Sequence, residues 1–192
     1  AFAREPDGIL DLAAGPLQPR WLPGARLNIV DSCFRPPACT VAAVVGREGS
    51  EALDFVSYGE LEALVNRVAG GLVAQGFRPG DAIALYMPMT LECVAAYLGV
   101  VRAGCAVVSI ADSFAATELA RRLEIAGAAA VITVASFTRG GRKIALYDTV
   151  RAARAPRSIV IAGLDGERPE LRESDLRWEE LLVDDTAFAS VT

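Results

Sequence analysis

Histidine is absent from this chain of 192 residues, and lysine occurs once, at Lys143, beside eighteen arginines. Without an imidazole the chain has no Ser-His-Asp or Cys-His catalytic group, no histidine ligand for zinc and no imidazole acid or base. Three common motifs are also absent: the G-x-x-x-x-G-K-[ST] loop, the G-x-G-x-x-G fingerprint and the G-x-S-x-G elbow. A search for these motifs alone therefore assigns no function to the chain.

An excess of positive charge and a long apolar run are lacking as well. The formal net charge is −5 and the sequence pI is about 4.9, so we predict no nucleic-acid partner. The most apolar region, residues 82–111, is interrupted by Pro88, Glu92, Arg102 and Gly104. It therefore cannot span a bilayer, and no secretory signal is visible. With 53% hydrophobic residues, the chain can still bury a core.

Cysteine is scarce, and the four cysteines show no C-x-x-C spacing: they are Cys33, Cys39, Cys93 and Cys105. All but Cys39 stand in apolar or mixed surroundings. This pattern favours small buried or half-buried thiols in a reducing cytosol over disulfides or metal ligands.

The first regular structure is predicted after an irregular lead-in. Residues 1–39 form this lead-in, whose first part is rich in proline and glycine. Two β-prone runs follow, residues 40–45 and 53–56, and the turn-forming residues 46–50 between them predict a hairpin.

A long helix is predicted directly after this hairpin. Ser57 and Glu60 have the spacing of a capping box, in which each side chain satisfies a backbone N–H of the other residue. Leucine and valine then recur from residue 61 to residue 72 at the spacing of a helix with one buried face, and Gly76 ends it.

The remaining chain alternates between short apolar strands and helices. We predict strands at residues 82–86, 106–110, 130–134 and 158–162, and helices at 91–101, 117–126 and 146–155. Alternation of this kind, with strands apolar on both faces, predicts an α/β fold: a doubly wound, mostly parallel sheet with flanking helices. We assign this subdomain to residues 40–192. Its acidic segment, residues 165–185, is predicted to be a solvated surface helix and loop.

One local cluster has the composition of a phosphate site: Arg139, Gly140, Gly141, Arg142 and Lys143. It is predicted to be a loop at the carboxyl end of the strand at 130–134, the edge where open α/β sheets bind ligands. Arginines offer planar forks to a phosphate, and glycines let backbone amides approach closely. From the residues alone an ordinary solvated basic turn is the more common outcome.

Four segments, in order, carry a resemblance: residues 21–28 (WLPGARLN), 56–61 (VSYGEL), 80–89 (GDAIALYMPM) and 103–106 (AGCA). They resemble motifs of the AMP-forming acyl-CoA synthetases, in the acetyl-CoA synthetase-like branch of the adenylate-forming superfamily. Residues 109–114 and 139–144 are similar to the plant-type peroxisomal acyl-activating enzymes and their bacterial relatives.

The resemblance implies the N-terminal subdomain of the adenylate-forming fold, truncated. The parent enzyme would convert a carboxylate such as acetate, with ATP, Mg and coenzyme A, to acyl-CoA, AMP and pyrophosphate. Arg139 and Arg142 would hold the CoA 3′-phosphate, and Gly140 and Gly141 would give its backbone room. The loop at residues 111–114 would lie near the CoA adenine, although Ala111 stands at the first aromatic position of the family pattern.

The same resemblance implies that other parts of the synthetase are missing. The Gly-rich phosphate loop ending in Pro-Lys, the ATP and Mg sites and the adenylation lysine are not in the sequence. We therefore predict no catalytic residue and no metal ligand here, inactivity alone, and the remainder of the synthetase as partner. The alternatives are a stand-alone CoA-binding or interaction module and a structural truncation product. The expected compartment is the cytoplasm or, in a plant, the peroxisome.

Overall fold

The computed structural model describes residues 2–163, 165–184 and 187–192. The helices are α1 (Val30–Cys33), α2 (Tyr58–Ala74), α3 (Leu91–Arg102), α4 (Ala116–Ala126), α5 (Leu146–Ala152) and α6 (Trp178–Leu181). The strands are β1 (Leu10–Asp11), β2 (Arg20–Trp21), β3 (Val41–Gly46), β4 (Leu53–Ser57), β5 (Ala82–Tyr86), β6 (Ala106–Ser109), β7 (Ala130–Val134), β8 (Phe137–Arg139), β9 (Arg142–Ile144), β10 (Ser158–Ile161) and β11 (Leu176–Arg177). Among the described residues no helix combines the length and the apolar character needed to cross a membrane.

Five strands form one parallel sheet in the order β11-β10-β7-β5-β6. The chain runs outward from β5 to β6, crosses back to β7, and then continues to β10 and β11. This confirms the predicted α/β, doubly wound fold. The predicted bounds of β5 and β7 are also confirmed. Both strands are almost entirely buried, which explains why they could be recognised as short apolar runs. The winding reverses between β5 and β7, and ligands of open α/β sheets bind at the carboxyl edge of such a point.

Helix α2 begins at the predicted capping box. The Glu60 N–H donates to Ser57 Oγ (3.2 Å), and the Ser57 N–H donates to Glu60 Oε2 (2.8 Å). The helix ends at Ala74, and Gly76 follows with a φ of +88°. The predicted hairpin before α2 is confirmed as the antiparallel pair β3–β4.

Small residues let α2 lie close to its neighbours. A Cβ on Gly71 would stand 1.9 Å from the Leu181 carbonyl oxygen, and a Cβ on Gly99 of α3 would stand 2.6 Å from a Val68 methyl group. Bulkier residues at these positions would push α6 or α3 away from α2. Glycine is thus required there by packing rather than by backbone conformation.

The lead-in contains more structure than predicted. Strands β1 and β2 pair in an antiparallel ribbon. Trp21 does not anchor this segment, because it is 67% exposed. The anchor is instead Asn28, which is buried and whose Nδ2 donates to the carbonyls of Val101 (2.8 Å) and Val191 (2.8 Å). An amide with two remote acceptors fixes a segment that offers little apolar surface to the core.

Two further predictions are corrected in part. Cys93 and Cys105 are buried free thiols as predicted, but Cys33 is an exposed one, because its one-turn helix α1 turns it outward. The acidic segment is not uniformly solvated: Trp178 and Leu181 are buried, since their apolar side chains dock α6 on the core. Residue 185, at the end of that prediction, lies outside the described residues.

Candidate functional site

The basic cluster forms a β-hairpin and not the predicted loop. Strands β8 and β9 pair with Arg139 directly opposite Arg142. The two residues between them, Gly140 and Gly141, have φ values of +58° and +73°. A two-residue hairpin turn requires left-handed backbone at both central positions, and Gly-Gly provides it without strain. We call this segment, residues 137–144, the basic hairpin.

The basic hairpin stands at the predicted edge of the sheet. It follows β7 after only Ala135 and Ser136, and β7 lies beside the point where the winding reverses. The loop after β6 reaches the same place. Tyr86, the last residue of β5, holds that loop, because its hydroxyl donates to the Phe114 carbonyl (2.6 Å) and lies 3.3 Å from the Asp112 carbonyl.

Arg139 is held by a carboxylate from this neighbouring loop. Its Nη1 and Nη2 donate to the two oxygens of Asp112 at 3.0 and 2.6 Å. Its guanidinium carbon lies 4.8 Å from the centre of the Phe137 ring. The hydrogen bond and charge of Asp112 raise the pKa of Arg139 above its ordinary value, and the charge of Glu48 adds to this. Arg139 is therefore fixed in direction and always charged.

The amides of the glycine turn are hydrogen-bonded to a carboxylate from a distant part of the chain. Glu48, in the turn between β3 and β4, accepts from the Gly140 N–H with Oε2 (3.1 Å) and from the Gly141 N–H with Oε1 (3.0 Å). Successive amides that point at one anion form a concave anion receptor. The turn therefore has the geometry of such a receptor.

Lys143 is neutralised on the other side of the basic hairpin. Its Nζ lies 2.8 Å from Glu167 Oε2 and 3.0 Å from Asp165 Oδ2. The hydrogen bonds that Lys143 donates to both carboxylates raise its pKa, and the lysine in turn lowers the pKa of each carboxyl group. The Ser136 hydroxyl also donates to Glu167.

Arg142 differs from its neighbours in the basic hairpin. It is exposed, and its side chain makes no hydrogen bond or ion pair with any residue that the structure describes. Because Arg139 stands directly opposite, two like charges flank the turn, and an anion between them would relieve their repulsion. Within the basic hairpin, Arg142 is the cation left available to a ligand.

The structure thus brings together all four predicted site residues, Arg139, Gly140, Gly141 and Arg142. Sequence reasoning missed their acidic partners. A Gly-Gly pair between short β-prone runs is a hairpin signal that could have corrected the predicted loop. Glu48 lies 92 residues from Gly140, so no local pattern joins the two. Within the described ranges, no group of three or more His, Cys, Asp and Glu side chains is placed to hold a metal ion.

Comparison with known proteins identifies the family of this chain. A family model described as AMP-binding enzyme matches residues 38–187. The chain is 40% identical over 172 residues to the probable peroxisomal acyl-activating enzyme 18 of Arabidopsis thaliana, a match covering 84% of this chain and 23% of that protein. It is 34% identical over 139 residues to the acetyl-coenzyme A synthetase of Nitrosomonas europaea, covering 71% of this chain and 21% of that protein.

A solved structure extends the likeness to the fold. The acetoacetyl-CoA synthetase from Streptomyces lividans superposes with a TM-score of 0.87 at 26% identity, over all of this chain and 30% of that one. The match confirms the predicted resemblance in fold. The chain spans about a quarter of the length of the relatives described here.

Proposed function

This chain belongs to the AMP-binding enzyme family, and from that premise we propose that it is part of an AMP-forming acyl-CoA synthetase. In the proposed reaction a carboxylate oxygen attacks the α-phosphorus of ATP, which gives an acyl-adenylate and pyrophosphate. The thiol of coenzyme A then attacks the acyl carbon, which gives acyl-CoA and AMP. The proposed substrate is a short-chain acid such as acetate, in keeping with the likeness to acetyl-coenzyme A synthetase.

Within this enzyme the chain supplies scaffold and part of the site for the CoA 3′-phosphate. Arg142 carries this proposal, because its charged side chain is exposed and has no partner among the described residues. A guanidinium group presents two parallel N–H donors to a phosphate. Arg139 supplies a second cation across the turn, and Gly140 and Gly141 leave the turn without side chains.

The remainder of the synthetase supplies the ATP and Mg sites and the adenylation lysine. The family's Gly-rich phosphate loop ending in Pro-Lys does not occur in the 192 residues. In this proposal residues 1–39 are a lead-in and residues 40–192 the N-terminal subdomain, and the family match beginning at residue 38 supports that division. Four free thiols support a reducing compartment: the cytoplasm or, for a plant chain, the peroxisome named for the Arabidopsis relative.

Calorimetric titration with coenzyme A and with dephospho-CoA tests the phosphate site. We expect coenzyme A to bind about tenfold more tightly, as expected for one charge-assisted contact. Arg142→Ala should remove most of that difference. Arg35→Ala is the matched control, because Arg35 is also exposed and lies in the lead-in. Equal affinity of the wild-type chain for the two compounds would overturn the proposed site.

Pyrophosphate exchange tests whether the adenylation site lies outside this chain. The isolated chain, incubated with acetate, ATP, Mg and labelled pyrophosphate, should form no labelled ATP. An intact acyl-CoA synthetase in the same assay is the positive control. Exchange catalysed by the isolated chain would show that the proposed partition of sites is wrong.

A further inference from the structure

The amide receptor of the basic hairpin is filled by an acid of the chain itself. Glu48 uses both carboxylate oxygens, one on each of two consecutive glycine amides, at 3.1 and 3.0 Å. A phosphate group binds amides at the turn of a nest in the same way, with separate oxygens on successive N–H groups. The Glu48 carboxylate therefore occupies the position that a phosphate would take on this turn.

The segment that carries Glu48 is weakly attached. Strands β3 and β4 form a ribbon that pairs only with itself among the described strands, and residues 47–52 are the exposed turn at its end. Within the described part of the chain, the two bonds to Gly140 and Gly141 are the hydrogen bonds that join this turn to anything outside the ribbon. Releasing Glu48 therefore disturbs no buried contact.

Apart from Arg142, the cations of the basic hairpin are also paired with carboxylates of the chain. Asp112 accepts from Arg139, and Asp165 and Glu167 surround Lys143. At the glycine turn, Arg139 and Lys143, binding of a ligand anion therefore requires the exchange of one anion for another, whereas Arg142 is free to bind directly. A ligand must supply more than the free energy of the bonds it displaces.

We propose that Glu48 is an internal competitor for the ligand phosphate at the Gly140–Gly141 turn and must leave the turn when the ligand binds there. This inference rests on the proposed function of the basic hairpin. Because only the fraction of molecules with Glu48 released is competent, the observed dissociation constant is the intrinsic one divided by that fraction. Glu48 thereby lowers the affinity of the turn for every anion that binds there, by the same factor.

The first test compares Glu48→Gln with a matched variant, Glu51→Gln. Glu51 is an exposed acid of the same turn and makes no hydrogen bond or ion pair with a described residue. Glu48→Gln should bind coenzyme A about five- to tenfold more tightly than the wild type, because it loses charged bonds that oppose binding. Glu51→Gln, which removes the same charge without those bonds, should change the affinity less than about twofold.

Dephospho-CoA separates this inference from the proposed function. Glu48→Gln should leave its affinity unchanged, since it lacks the 3′-phosphate. Suppose that Arg142→Ala removes the preference for coenzyme A but Glu48→Gln binds it no more tightly: the competitor role is then wrong, and the proposed phosphate site stands. Weaker binding by Glu48→Gln would identify Glu48 as a support of the turn and would also overturn the inference.

Nuclear magnetic resonance with inorganic phosphate as probe tests the competitor role even if coenzyme A does not bind. The amide protons of Gly140 and Gly141 should move upfield in Glu48→Gln, because a charged acceptor is lost. Added phosphate should then move them back downfield at a lower concentration than in the wild type. If these two signals are the same in both proteins, or respond to phosphate equally, Glu48 is not a competitor.

Discussion

Two arginine–aspartate pairs in this molecule have the same chemistry and opposite surroundings. Arg172 donates to both oxygens of Asp175 at 2.8 and 2.9 Å, and Arg139 donates to both oxygens of Asp112 at 3.0 and 2.6 Å. The Arg172 and Asp175 side chains are 28% and 0% exposed, and the Arg139 and Asp112 side chains are more exposed, at 54% and 12%. The first pair joins the segment before β11 to the sheet, and the second faces the place proposed for a ligand.

The buried pair is surrounded by additional partners. The Tyr147 hydroxyl donates to Asp175 Oδ2 (2.7 Å), the Ser158 N–H donates to Asp175 Oδ1 (2.8 Å), and Arg172 also donates to the Ala155 carbonyl (2.9 Å). If one of these contacts were broken, the donor or acceptor that remains would be left without a partner and shielded from water. Solvent can replace the partners of Arg139. An arginine–aspartate pair thus holds two segments together where it is buried, and can exchange partners where it is exposed.

Breaking the buried pair should have the largest effect on stability. Asp175→Asn leaves Arg172 without its counter-ion, and we expect the free energy of unfolding in urea to fall by about 3 kcal/mol. Glu173→Gln, a charge change at an exposed position two residues away, should leave it nearly unchanged. The preference for coenzyme A over dephospho-CoA should persist in both variants. A similar stability loss in both would mean that burial is not what distinguishes Asp175.

Removing one hydroxyl from the same network should have an intermediate effect. Tyr147 is 1% exposed, and its hydroxyl both donates to Asp175 and accepts from the Arg172 N–H (3.0 Å). Tyr147→Phe should lower the free energy of unfolding by about 1–2 kcal/mol, because the half-buried backbone N–H of Arg172 loses its acceptor and Asp175 loses a donor. In the double variant with Asp175→Asn the two losses should not add, since they share one network. Additive losses would show that the residues act independently.

Acid should weaken the buried pair in a defined direction. Burial pushes the pKa of Asp175 up, but hydrogen bonds from Arg172, Tyr147 and Ser158 together hold the pKa below its ordinary value. The stabilisation is therefore complete above the pKa of an unfolded aspartate, about 3.9, and is lost as the pH falls through the lower pKa of the folded state. In urea titrations, the difference in the free energy of unfolding between the wild type and Asp175→Asn should become smaller below about pH 4. A constant difference down to pH 2 would contradict this.

Local sequence patterns predicted the fold much better than these contacts. The capping box of Ser57 and Glu60 and the strands β5 and β7 follow from spacing and apolar runs within a few residues. In contrast, Glu48 contacts Gly140 across 92 residues. Such a contact depends on where the β3–β4 ribbon, which packs on α2, brings its turn relative to the basic hairpin. The sequence around a charged turn residue does not indicate a partner so far away.

The acidic segment, residues 165–185, also shows what composition alone cannot predict. Its composition indicated solvation, which suits Asp165 and Glu167 beside Lys143 but not Asp175. Charge alone does not distinguish a carboxylate that stays in water from one that is buried with a partner, because the burial is decided by neighbours such as Tyr147 that are distant in sequence. The basic residues of the candidate site could therefore be singled out from the sequence, whereas their acidic neighbours could not.

Breaking the exposed pair should have the smallest effect on stability and a visible effect on binding. Asp112→Asn removes the counter-ion of Arg139, while the Phe137 ring, 4.8 Å from the guanidinium carbon, still orients it. We expect the free energy of unfolding in urea to fall far less than in Asp175→Asn. Coenzyme A should bind about two- to threefold more tightly, because Arg139 no longer has to exchange one anion for another. Dephospho-CoA should show no such gain, and Arg139→Gln should abolish it. A gain that survives Arg139→Gln would mean that Asp112 repels the ligand directly, and the exchangeable pair would then have no part in binding.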